Sequence, residues 1–118
     1  MVDDKNYKRK TTHPIALLYL DNLGKETDDF FTYSTTESLI ADLKKIETIR
    51  IPSIANVQTF SKSNLPDSEI GRRLKVDKII KGNLIRTGNV CQVNLEMIDL
   101  IEGETVWSHT WKGNSNYT

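Results

Sequence analysis

The sequence predicts an α/β (α+β) domain: a mixed sheet of about five strands in the order β-α-β-α-β-β-β, with two helices packed on one face. Three observations carry that class. First, the stretch from Lys75 to Trp111 reads as an antiparallel meander broken by tight turns at Gly88-Asn89 and Glu102-Gly103, where glycine accepts the positive φ a hairpin demands. In its middle strand Cys91, Val93, Leu95 and Met97 alternate with Gln92, Asn94 and Glu96, the period of a sheet with one buried face. Second, Ile15 to Leu20 (IALLYL) is an unbroken apolar run between Pro14 and Asp21, suited to a central strand buried on both faces. Third, Asp28 to Ile46 has helical spacing, with Phe31, Thr35, Leu39, Leu43 and Ile46 three or four residues apart.

The elements follow in chain order. Residues 1–12 are polar and aperiodic, an arm or linker whose Lys8, Arg9 and Lys10 are read as solvated charges rather than a phosphate-contacting patch. After the first strand, Asp21-Asn22-Leu23-Gly24 is turn chemistry, preferred over a carboxylate site. In the first helix, Asp28 and Asp29 suit the positive end of the dipole and Lys44 and Lys45 the negative end. Its hydroxyl cluster, Thr32 to Ser38, lacks a local histidine that would activate a nucleophile. Thr48 to Ser53 is a short strand that Pro52 confines to an edge or ends. A connection anchored by Val57 and Phe60 leads to Asn64, a cap for a second helix from Pro66 to Lys75 with Ile70 and Leu74 as its contact ridge. Arg72 and Arg73 then fall on its solvated side rather than in an anion site.

The chain has 118 residues, enough for a single domain at 13–113 between the arm and a polar tail at 114–118. Lys plus Arg and Asp plus Glu are 16 each, so no overall field recruits nucleic acid or an anionic membrane. Its single cysteine permits no internal disulfide and favours a cytoplasmic setting, with the periplasm open if a signal peptide has been removed. No apolar run approaches the roughly 18 residues of a membrane span, and Ile15–Leu20 is too short for a signal core.

No constellation for chemistry emerges. His13, His109 and Cys91 are isolated on or beside different strands; the glycines are single; no carboxylates pair at acid/base spacing. The domain is therefore expected to be no enzyme and to need no cofactor or metal. The candidate interface is Val106, Trp107, His109 and Trp111 on the last strand. There the preferred assignment has Trp107 capping the core and Trp111 alone exposed. An edge strand is open to strand addition by a protein partner or a second copy, and Val106–Trp111 suits this better than the Pro52 strand.

The order of these features resembles the TolB-like amino-terminal domain, related to the CsgG and FlgO group. The resemblance runs over IALLYLDNL, FFTYSTTESLIADLKKI, IRIPS and EIGRRLKVDKIIKGNLIRTGNVCQVNLEMIDLIEGETVW, from about Pro14 to Trp111. Phe31, Glu37 and Leu39 fit its first helix; Ile70, Gly71, Leu74, Val76 and Asp77 its second; Gly82, Arg86, Gly88, Ile98 and Asp99 its hairpin; Gly103 and Trp107 its close. Lys81 stands where the family usually has an acidic residue, and Ser34 where it usually has glycine. The resemblance implies an anticodon-binding-like fold without a catalytic constellation. It also implies a protein-interaction or oligomerisation module of a larger bacterial signalling protein carrying a nucleotide cyclase or tetratricopeptide repeats. The alternatives are a periplasmic cell-envelope assembly component and a small-ligand sensor.

Overall fold

The computed structural model describes residues 13–114; the arm with Lys8, Arg9 and Lys10, and the tail after Asn114, lie outside the described residues. The fold class is the expected one, a mixed sheet with helices and a C-terminal meander. The strands are β1 (His13–Leu17), β2 (Asp21–Asn22), β3 (Ile49–Arg50), β4 (Lys78–Thr87), β5 (Val90–Asp99) and β6 (Glu104–Asn114). The helices are α1 (Asp29–Lys44), α2 (Ile54–Gln58) and α3 (Asp67–Leu74). The sheet order is β3-β1-β4-β5-β6, with β2 also paired to β4. β1 runs parallel to both β3 and β4, whereas β4, β5 and β6 are the antiparallel meander.

This order corrects the expectation that both main helices share one face. The crossover from β1 to β3 and the one from β3 back over β1 to β4 run in opposite directions across the sheet, so with the usual right-handed connection they use opposite faces. Side chains bear this out. β4 pairs with β5 without a bulge, so Ile80, Gly82, Leu84 and Arg86 point one way and Ile79, Lys81 and Asn83 the other. Arg86 reaches Asp28 (3.3 Å) and lies over the Phe31 ring at the start of α1. Lys81 Nζ reaches Asp67 Oδ2 (2.9 Å) at the start of α3. Ala16, Leu17, Ile79 and Ile80 are consequently all buried, adjacent residues on both faces.

Three local expectations also shift. The buried face of α1 is Thr32, Thr36 and Ile40, with Leu39 and Leu43 at its margin, while Ile46 is exposed and Phe31 only half-buried. The threonines are admitted because their hydroxyls are satisfied. Thr32 Oγ1 donates to Asp28 O (3.0 Å), Thr36 Oγ1 donates to Thr32 O (2.9 Å), and Thr36 Oγ1 accepts from Leu20 N (3.4 Å). Asp21-Asn22, expected as a turn, forms the two-residue β2 against Asn83 and Leu84. Asn22 still organises the loop that follows, its Oδ1 accepting from Gly24 N (2.8 Å) and its Nδ2 donating to Lys25 O and Asp29 Oδ1 (2.7 Å each). The connection after Pro52 contains the short α2, capped by Ser53, and Pro66 rather than Asn64 occupies the N-cap position of α3.

The core lies over β1 and β4. Leu17, Leu20, Val57, Ile79 and Leu84 are fully buried, each contributing about 1.5–3 kcal/mol relative to exposure. Gly82 is required by close approach: a methyl there would overlap Asn94 O and the Leu95 side chain on the neighbouring strand. Both hairpin glycines have the positive φ expected of them, 60° at Gly88 and 74° at Gly103.

Candidate functional site

Helices cover only the β1–β4 half of the sheet. The other half ends in β6, an 11-residue edge strand exposed along its whole length. The opposite edge, β3, is two residues long and closely followed by Pro52. Two short edge residues and a proline are ordinary protection against unwanted pairing; a long uncovered edge is not.

Register sets the surface of β6. Trp107 lies opposite Met97, His109 opposite Leu95, and Trp111 opposite Val93. Opposed residues in an antiparallel pair share a face, so the three rings form one row on the face that carries Leu95 and the core. The His109 and Trp111 centroids are 4.3 Å apart at 59°. Trp107 is 38% exposed and Trp111 48%, so the expected capping of the core by Trp107 does not occur: both rings meet solvent. Among the described residues no helix packs along β6, and Trp107 keeps more than a third of its surface in solvent. Val106 is set apart from the row. The pairing jumps from Met97–Trp107 to Ile98–Thr105, which makes Val106 the extra residue of a β-bulge, 52% exposed.

The reverse face of the same strands is polar. Asn94 is its hub: Oδ1 accepts from Thr110 Oγ1 (2.7 Å) and Gln92 Nε2 (3.2 Å), and Nδ2 donates to Asn83 Oδ1 (2.7 Å). Lys81, Glu96 and Ser108 border this strip in a shallow cleft of about 420 Å³. Sequence reasoning passed over these residues because alternation marks them only as outward-facing. It also passed over the apolar side chains exposed at the meander's turns, Val90 and Ile101.

The other sites considered from the sequence do not converge. Among the described residues, no three of His, Cys, Asp or Glu gather as a metal site would require. His13 is exposed on β1, far along the sheet order from Cys91 on β5 and His109 on β6. Burial pushes the Cys91 thiol above its ordinary value; Arg86 opposes that rise and Asp28 adds to it. Such a thiol has little nucleophilic thiolate near neutrality. Arg72 and Arg73 both engage Glu69, Arg73 Nε at 2.8 Å, and these contacts hold the Glu69 carboxyl at about 2. A larger hollow of about 750 Å³ lies at the C-terminal end of β1, bordered by Tyr19, Asp21, Asn22, Asp29 and Lys62. Burial, Asp29 and Tyr33 raise the Tyr19 hydroxyl there. No described helix is long and apolar enough to cross a membrane.

With this geometry in place, comparison with known proteins establishes the fold. No family model matches the chain. A Rhizobium meliloti (strain 1021) protein named "Putative adenylate cyclase 3" is 31% identical over 100 residues, which cover 82% of this chain and 17% of that protein. The chain therefore corresponds to a small part of this relative. The LpoB C-terminal domain of Salmonella enterica superposes with a TM-score of 0.70 at 12% identity, over 89% of this chain and 84% of that one. Lipoprotein GNA1162 of Neisseria meningitidis gives 0.70 at 14% identity, over 90% and 86%. TolB of Acinetobacter baumannii gives 0.54 at 11% identity, over 91% of this chain and 24% of that one. The described domain has a TolB- and LpoB-like fold.

Proposed function

We propose that this domain is a non-catalytic protein-docking module acting in cell-envelope assembly, with the open β6 edge and its Trp107–His109–Trp111 row as the docking surface. The observation that carries the docking role is the uncovered 11-residue edge strand with two tryptophans exposed on one face. Strand addition supplies backbone hydrogen bonds along such an edge, and the aromatic row adds the desolvated contacts that dominate binding energy. The envelope setting draws support from the matching fold of a lipoprotein, GNA1162, at nearly full coverage of both chains. A second assignment, a docking module of a cyclase-bearing signalling protein, is favoured by the 31% identity to the Rhizobium meliloti protein.

One experiment addresses both. The intact protein, tagged in its native cells, is fractionated and its bound proteins recovered with and without Trp107→Ala/Trp111→Ala. Recovery of an envelope protein or of untagged copies of the chain itself, lost in the double variant, is the expected result. Recovery of the same partners by the double variant would refute the docking surface. A soluble complex with nucleotide cyclase activity would move the assignment to the signalling alternative.

A further inference from the structure

The centre of β6, Trp107-Ser108-His109-Thr110-Trp111, reads nearly the same in both directions. That symmetry matters only in a strand that meets a reversed copy of itself. We propose that the partner of this edge is a second copy of the chain, with β6 pairing antiparallel to β6 of the other subunit about a two-fold axis through His109. The inference rests on β6 being the docking edge.

Pleating restricts the choice of axis. Opposed residues must share a face, so the axis passes through a residue and its own copy. An axis at Ser108 sets Trp107 against His109 and carries Trp111 onto Thr105, across the bulge at Val106. An axis at Thr110 sets Trp107 against Gly113. Only His109 brings each Trp107 against the other copy's Trp111 and each Ser108 against Thr110. It also keeps all five central pairs on the unbulged side of Val106.

Aromatic pairs and hydroxyl pairs are favourable cross-strand neighbours. The charged residues of β6, Glu104 and Lys112, stand outside this central segment, which therefore carries none of the charges that usually keep edges apart. The Trp107 and Trp111 rings, 38% and 48% exposed in the single chain, become covered in two symmetric stacks. The two sheets join into one continuous sheet, with the polar Asn94 strip along its reverse face.

The test is the mass of the chain by light scattering across a concentration series. A species of twice the 13.5 kDa chain mass is expected to accumulate as concentration rises. His109→Asp and His109→Lys each place two like charges on the axis and are expected to give monomers. Mixed in equal amounts they oppose Asp to Lys and are expected to restore the dimer. Because His109 is exposed, both variants should keep the circular dichroism spectrum and melting temperature of the parent.

A second variant covers a failure of either to fold. In a Cys91→Ser background, His109→Cys should cross-link to its own copy under mild oxidation, since opposed antiparallel residues lie at disulfide distance. Ser108→Cys should not. A chain monomeric at every concentration, a dimer indifferent to both charge substitutions, or a mixture that stays monomeric would overturn the pairing. Cross-linking by Ser108→Cys and not His109→Cys would overturn the axis. A monomer that still captures a foreign partner through Trp107 and Trp111 would sink self-pairing alone; loss of that capture as well would remove the docking role with it.

Discussion

At the scale of single residues, buried polar groups are tolerated where each has a partner. Asp28 is 8% exposed and its carboxylate faces Arg86. Asp28→Ala would leave the guanidinium partly desolvated. We expect a loss of about 2–3 kcal/mol, below the cost for a fully buried pair because Arg86 keeps about a third of its side chain in solvent; the urea midpoint measures it. Thr36→Val removes the acceptor for Leu20 N and should cost about 1–3 kcal/mol despite its similar volume. Glu69 sets a pH dependence. Its folded-state carboxyl is lowered from 4.5 to about 2, so its contribution is present above about 4.5 and fades as pH falls through about 2. Glu69→Gln should flatten stability across that acid window, read from denaturant midpoints at successive pH values; a curve parallel to the parent's would exclude the Arg72–Arg73 pairing as its source.

At the scale of elements, two features fix how layers meet. Gly71 in α3 lies against Leu100 after β5, where an added methyl would overlap the leucine side chain. At Gly82 the obstacle includes a backbone carbonyl, which cannot swing aside. Gly82→Ala should therefore destabilise the β4–β5 pairing by about 1–3 kcal/mol, seen as a fall in melting temperature. An unchanged melting temperature would mean that the strands part there at no cost. In α1, spacing alone identified a helix but not its buried side. Thr32, Thr36 and Ile40 form that side because α1 packs beside β2 and its start is tied to β4 by the part-buried Arg86–Asp28 pair. A threonine with its hydroxyl returned to the preceding turn behaves as a small apolar residue, which hydropathy does not register.

At the scale of the whole molecule, the sheet is half a three-layer sandwich and half a bare ribbon. β1 and β4 carry helices on both sides, whereas β6 carries none. Stability should follow that division. Amide hydrogen exchange is expected to be slowest in β4 and markedly faster in β6 at concentrations too low for association. Raising the concentration should then protect Trp107–Trp111 selectively. Equal protection of β4 and β6 in the dilute chain would show that the ribbon is covered within a single copy.

The sequence by itself determined the class of fold, the meander and its two turns, and the central buried strand. These are written in local terms: a period of two from Cys91 to Met97, glycines at the positive-φ turns, an apolar run at Ile15–Leu20. Tertiary structure decided which face each helix covers, that Asp21-Asn22 pairs as a strand, that Val106 bulges away from the aromatic row, and that Trp107 remains open. Each of those depends on which strands are neighbours and where the helical layers end. Such relations join residues distant along the chain, and no local pattern encodes them.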